Sequence, residues 1–407
     1  MALPIDQRRA VIIWALGLTQ IVGYGTLYYS FSILAPEMAR DFGWSPEWVF
    51  GVFSASLLFS GLVAPAVGRR MDRHGAARVM SIGSLAAALA LLLCALAPER
   101  ITFVAAVVAM EVASALVLYN AAFALLVQIT PQAAQRSITH LTLIAGFSST
   151  LFWPITSELH RHLAWRDVYF VFAACNVLVC MPIHWWLATI MKANTARQLL
   201  AGTRPSLTVI GSISGNDRPR AFILMVTGFA LQGFVLSALL IHMVPLLTAV
   251  GMGASAVMVG TIFGPSQVFS RLINMLFGKR LSNLTLAVIS AGFLVAGVAT
   301  LLATAPRISG GIAFAILFGL GSGIASIVQG SLPLALFGSD GYGALLGRVS
   351  AIRLVVSALA PFVLSFLMAN MGTSSALWVV IVLGIGAVAA FAGIGLGRRS
   401  PELVPEA

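Results

Sequence analysis

Charge is what this sequence has least of. Asp, Glu, Lys and Arg together make up 9% of its 407 residues, against roughly a quarter in soluble domains. A chain of this length with so little charge cannot coat a globular surface with solvated side chains, so a soluble fold is excluded. Acids are scarcer still than bases, 13 against 24, which leaves a net charge of +11. That excess would suit a nucleic-acid partner, but no basic helix with interleaved aromatics is present, and none is expected to bind. The three cysteines, Cys94, Cys175 and Cys180, all fall in apolar runs. They form neither a disulfide framework nor a metal spacing and read as packing residues. No nucleotide fingerprint is present either, since GLGSG at 319–323 lies within an apolar run and not between a strand and a helix. With no nucleophile–base pair or metal-ligand cluster, the expectation is a non-enzyme with no catalytic residue, cofactor or metal.

What is present in abundance is apolar sequence: 59% of residues are hydrophobic, and the mean hydropathy is +0.98. Uncharged apolar runs of 18 or more residues read as membrane helices. The runs lie near 10–35, 47–67, 77–97, 101–130, 138–159, 167–190, 220–248, 255–277, 285–304, 309–337, 346–369 and 375–396, and predict twelve spans. The first follows Arg8 and Arg9 but continues to about Ala35, too long for a signal peptide's apolar core, and is read as a retained span. Several spans exceed the bilayer's needs, as tilted helices do.

With the N-terminus placed inside, seventeen of the 24 Lys and Arg residues fall on the cytoplasmic side, which supports both termini in the cytoplasm. The longest polar stretch, 191–219, contains AGTRPSLTVIGSISGNDRPR and reads as a mobile cytoplasmic linker between residues 1–190 and 220–407. The two halves repeat. A shift of 210 places Phe53 on Phe263, Ser60 on Ser270, Gly68 on Gly278 and Arg70 on Arg280, and a shift of 207 places Pro154 on Pro361. Such repeats mark secondary transporters that hold their substrate between the halves. The two prolines are expected to kink spans five and eleven symmetrically.

Between the second and third runs stands GRRMDRHGAAR, with Arg69, Arg70, Asp72, Arg73 and Arg78 in one short stretch. Gly68 and Gly75 suit a tight turn. Asp72 can pair with the neighbouring arginines or sit at the N-terminus of span eleven, where a helix end favours an anion. Gly68-x-x-x-Asp72-Arg73-x-Gly75 in this loop of a twelve-span, repeated chain resembles the signature of the major facilitator superfamily, and the resemblance covers essentially the whole sequence. It departs from the usual pattern at Ala76 and Ala77, where a basic residue normally follows the second glycine, leaving that role to Arg78. The second-half copy GKRLSN has Ser282 where Asp72 maps. The resemblance implies an all-α membrane protein of two pseudo-symmetric six-helix bundles working by alternating access. Gly68, Asp72, Arg73, Gly75 and Arg78 are then the cytoplasmic gate. The plainer reading of these charges is a topology anchor.

Ionisable residues inside spans are costly and therefore functional candidates. Gln267, Arg271 and Asn274 fall on one face of span eight, and Arg353 of span eleven is flanked by Ser350 and Ser357. Arg271 lies about six residues, roughly 9 Å, from the cytoplasmic end of its helix, and Arg353 about seven, roughly 10 Å, from its own. Two guanidiniums at one depth suit a carboxylate, which they bind bidentately. The alternative is snorkelling or pairing with helix carbonyls. Span eight is also similar to that of the monocarboxylate and oxalate porters of the superfamily, in which an arginine here binds the substrate carboxylate. Where many of those have an Asp four residues earlier, this chain has Gln267.

Glu111 is the one acid well inside a span, with Ser114 three residues on. Burial disfavours its charged form, which suits either a proton carrier or a structural hydrogen-bond partner. His140 and His242 are further proton candidates or packing residues. Tyr24 and Tyr28, with Gln20, form a polar-aromatic face on span one, and the resemblance places Asn120, Gln232 and Gln329 on cavity-lining helices. Drug–proton antiporters of the superfamily carry a glycine-proline signature in span five and an arginine in span four, and neither is here. The expected protein is thus a monomeric, multi-pass transporter of a bacterial inner membrane. Its expected cargo is a small organic anion, monocarboxylate-like, with protons as a second partner. Drug or metabolite efflux and a non-transporting sensor are the alternatives.

Overall fold

Lipid offers the backbone no hydrogen-bond partner, so an apolar run that crosses it must satisfy its own N–H and C=O groups, and a helix does so within one segment. The computed structural model describes residues 5–200, 208–213, 215–278 and 281–396. Among them twelve helical stretches are long and apolar enough to cross a membrane. The β-structure among the described residues is an isolated bridge between Ile210 and Gly338.

Contacts group the chain into two compact units. The first holds span one (Arg9–Asp41), two (Glu47–His74), three (Ala76–Leu96), four (Arg100–Ile129), five (Pro131–His162) and six (Trp165–Ala193). It also takes in Arg271–Leu276 from span eight (Ser255–Phe277) and Ser339–Ala358, which opens span eleven (Tyr342–Met371). Four of its spans are irregular. Spans one and six each contain a π-turn, Gly25–Tyr29 and Asn176–Cys180. Span four breaks at Leu118, whose φ −82°, ψ −164° is extended, and span five breaks between Ala145 and Ser148. The break in span five therefore precedes Pro154, which sits inside an unbroken helix, Ser148–His162. Single π-turns of this kind cluster at functional sites.

At the end of this unit opposite the 68–78 stretch, aromatic rings fill the core. Phe42 and Phe103 lie 4.7 Å apart, and Trp165, fully buried, meets Phe103 edge-on at 5.8 Å. The Trp165 indole N–H donates to Asp41 at 2.7 Å, and its backbone N–H donates to Glu37 at 3.0 Å. Arg166 pairs with Asp41 and lies 4.4 Å from the centroid of the Trp165 ring. These bonds pin the start of span six to the end of span one. Trp165→Ala should cost about 3–5 kcal/mol through the cavity it leaves. It should lower the unfolding temperature in detergent, and an unchanged Tm would show that the end reorganises freely.

The second unit holds span seven (Gly215–Ile241), the rest of eight, nine (Asn283–Thr304), ten (Ile308–Phe337), the rest of eleven, and twelve (Thr373–Gly395). Here the glycines of span ten allow close packing: a Cβ on Gly323 would lie 2.3 Å from the Gln267 carbonyl oxygen. Of the polar stretch 191–219, residues 201–207 and 214 lie outside the described residues, and the span-six helix runs on to Leu200. Within the expected linker, Ser212, Ile213 and Arg218 bond to the end of span ten. The N–H groups of Ser212 and Ile213 donate to the carbonyls of Ala335 and Leu336 at 3.0 and 3.2 Å, and Arg218 reaches Phe337 O at 3.2 Å. These are carbonyls that the end of a helix leaves without partners.

Candidate functional site

The charged stretch is not one turn. Span two stays helical through Gly68 to His74, and the chain turns at Gly75 alone, with φ +86°. The turn reading holds for Gly75 and is corrected for Gly68, which serves close approach: a Cβ there would lie 2.1 Å from the carbonyl oxygen of Gly343. One turn later the Asp72 carboxylate accepts hydrogen bonds from the backbone N–H groups of Gly343 (2.9 Å) and Ala344 (2.7 Å). These are orphan donors at the N-terminus of span eleven, where partial positive charge favours an anion. Gly347 continues the seam, since its Cβ would lie 2.4 Å from Ala64 O. Gln128 holds the turn itself, accepting from Ala76 N at 2.8 Å and donating to Met71 O at 3.0 Å. Arg73 and Arg78 are exposed beside it.

Tyrosines and arginines converge within the same unit. Tyr24 lies 6.4 Å from Tyr28, 6.3 Å from Tyr29 and 4.7 Å from Tyr119, ring centre to ring centre. Tyr29 meets Trp153 edge-on at 6.1 Å. The break at Leu118 aims Tyr119 into this cluster, and Gln20, fully buried, holds the break by donating to Val117 O at 2.8 Å. Arg353 lies within electrostatic reach of Tyr24 and Tyr28, and Arg271 within reach of Tyr29 and Tyr119.

Arg271 is 4% exposed, and its Nη1 donates to Thr142 O at 3.1 Å. Space for it comes from Gly146 at the span-five break, where a Cβ would lie 2.2 Å from that Nη1. The Nε atoms of Arg271 and Arg353 are buried without a hydrogen-bond partner. Among the described residues, neither guanidinium faces a carboxylate within ion-pair distance. Holding a charge out of water costs several kcal/mol, and removing it from its counter-charge costs more. An arriving anion would offset both.

The remaining sequence candidates divide. Asn120 joins the cluster, donating to Ser350 at 2.8 Å, one helical turn from Arg353. Asn274 is half-buried beside Arg271, its Oδ1 without a partner. Glu111 is 2% exposed, with Oε1 unpartnered, and lies within electrostatic reach of Tyr28. The others stand apart. Gln267 donates to Ser322 at 2.8 Å, and Gln232 donates to Ser290, which donates on to Gly321 O, all inside the second unit. Gln329 is half-buried on span ten. His242 contacts Ala238 O of its own helix, and His140 is half-buried near Arg136 and Arg9.

The sequence reading missed Tyr29, Tyr119, Gly146, Gly343 and Gly347. The glycines carried a usable signal, because Gly343 and Gly347 form a small-xxx-small pair on span eleven. The tyrosines carried none, since their grouping depends on a π-turn and a helix break that leave no mark on hydropathy.

A family model described as Major Facilitator Superfamily matches residues 16–361. No curated protein sequence gives a significant match. Among solved structures, the fold is similar to that of the human organic anion transporter MFSD10 (TETRAN), with a TM-score of 0.74 and 14% identity over 96% of this chain and 100% of that one. At that identity the likeness is one of fold.

Proposed function

The chain belongs to the major facilitator superfamily, and we propose that this multi-pass membrane transporter carries a small organic anion, monocarboxylate-like in its binding group. The observation that carries the reading is the pair of guanidiniums, Arg271 and Arg353, both within electrostatic reach of the tyrosine cluster, with Nε unpartnered and, among the described residues, no carboxylate at ion-pair distance. A planar fork of donors matches a carboxylate in both geometry and charge. A neutral hydrophobic cargo would leave the buried Arg271 charge desolvated and both guanidiniums without an anion. Tyr24, Tyr28, Asn120 and Asn274 supply the surrounding walls and hydrogen bonds. Purified protein screened for thermal stabilisation should respond to small organic acids and not to lipophilic drugs; stabilisation by drugs alone would overturn the reading in favour of efflux.

In this reading, residues 1–190 and 220–407 alternate as two bodies in an inner membrane, with both termini cytoplasmic. Asp72 latches the cytoplasmic side through span eleven. Arg271–Leu276 and Ser339–Ala358 are then the second-half segments that engage the first half while this side is closed, which is how they come to pack in the first unit.

We assign proton coupling to Glu111, because it is a carboxyl 2% exposed with Oε1 unpartnered, within electrostatic reach of Tyr28 of the proposed site. Glu111→Gln removes the exchangeable proton and keeps the shape. In liposomes it should abolish accumulation driven by a pH gradient while leaving carboxylate exchange at equilibrium intact. Accumulation that survives would leave Glu111 as a structural hydrogen-bond partner.

A further inference from the structure

Span one brings Tyr24, Tyr28 and Tyr29 into mutual contact, which a regular helix does not do. Residues five apart in an α-helix point about 140° away from each other. The π-turn at Gly25–Tyr29 adds one residue to the turn and winds Tyr29 back by about 100° toward Tyr24. A π-turn is less stable than the α-turn it replaces, so something must hold it.

The hold is a buried amide. Asn176, 1% exposed, donates from Nδ2 to Thr26 Oγ1 at 3.0 Å and to Phe172 O at 2.9 Å. Thr26 sits inside the span-one π-turn and passes the bond on to Val22 O at 2.8 Å. Asn176 itself opens the π-turn of span six, Asn176–Cys180. The two irregular turns are thus tied by one side-chain bond. At the neighbouring Gly25 the Phe152 ring lies close, 2.0 Å from where a Cβ would be. The turn is thus held by a polar bond at Thr26 and met by an aromatic plate at Gly25.

We infer that Asn176 is a positioning residue for the anion site: it fixes the span-one π-turn and through it the placement of Tyr28 and Tyr29 between the two arginines. The inference rests on the tyrosine–arginine site proposed above, but its test does not need the cargo to be known. In full-length protein with Cys94, Cys175 and Cys180 replaced by alanine, single cysteines are placed at position 29, beyond the start of the turn, or at position 24, before it. Labelling by a membrane-impermeant maleimide is then followed with and without Asn176→Ala. The labelling rate at 29 should change by roughly threefold or more, as expected for loss of one buried hydrogen bond, and that at 24 should not.

Thr26→Val breaks the same bond with a smaller change of shape, should give the same shift, and should add nothing to Asn176→Ala. It also covers the case in which the alanine variant fails to fold. The control is His184→Ala. His184 is as buried as Asn176 and also ties span six to span one, at Thr19 Oγ1 (3.1 Å), but before the π-turn. If His184→Ala shifts labelling at 29 equally, or if neither Asn176→Ala nor Thr26→Val does, the inference is overturned and Asn176 is a packing residue. A shift at 29 in a protein that moves no carboxylate would instead keep the inference and defeat the proposed cargo.

Discussion

Replacing Arg271 with alanine is expected to lower carboxylate uptake into proteoliposomes by about thirtyfold or more in kcat/KM, because loss of one partner of a buried, hydrogen-bonded charge pair costs about 2–5 kcal/mol. Three features make this the largest effect in the molecule. The guanidinium is 4% exposed, so little water screens its charge from an anion. One of its nitrogens is already held by Thr142 O, which fixes the fork before the cargo arrives. Its Nε has no protein partner to compete for. Arg271→Lys keeps the charge and loses the fork, and should recover only part of the rate. Arg353→Ala should cost less, since Arg353 is only half-buried. Undiminished uptake by Arg271→Ala would sink the anion clamp outright.

The second large effect is expected at Gly68. A bare Cβ there would meet Gly343 O at 2.1 Å and Ala344 Cα at 3.1 Å. Both obstacles are backbone, which cannot swing aside as a side chain does. Gly68→Val should therefore part spans two and eleven, lengthen the Asp72 bonds one turn away, and hold the transporter open on that side. Asp72→Asn tests the same seam without steric load. It loses charge-assisted bonds worth about 1.5–3 kcal/mol each, enough to shift a two-state population by roughly tenfold or more. Single cysteines beside residues 68–78 should become more reactive in both variants and uptake should fall. Unchanged reactivity would reduce the motif to a topology anchor.

The spans were legible because lipid imposes one rule on every residue of a crossing helix: Ala76–Leu96 and Ser255–Phe277 fall within a residue of where hydropathy places them. Span two overran its expected end because Gly-x-x-x-Asp was read as a turn. Glycine spacing alone does not distinguish a positive φ from a place where two backbones touch. Gln232 looked like a cavity residue because a polar group facing a bundle's interior has the same pattern whether it meets a substrate or, as here, Ser290. Arg271 and Arg353 stood out for the opposite reason, since an arginine inside a span is costly. The structure leaves the Nε of both unpartnered, while Arg271 also takes a helix carbonyl, Thr142 O, as the plainer reading allowed. Tyr29 and Tyr119 were hidden because a π-turn and a break at Leu118 set their direction. Leu118 carries no Gly or Pro marker, and Gly25, which opens the π-turn, does not by its presence distinguish a π-turn from close helix packing.

The Asp72 contact joins one side chain to two main-chain N–H groups. A pair of opposite charges can be exchanged and still attract, so genetics can repair it from either end. This contact has no such symmetry, because no codon change at 343 or 344 supplies or inverts an amide. Intragenic revertants of an Asp72 lesion should therefore arise at 72 itself, or at sites that weaken the competing open state, and charge reversal elsewhere should not restore transport.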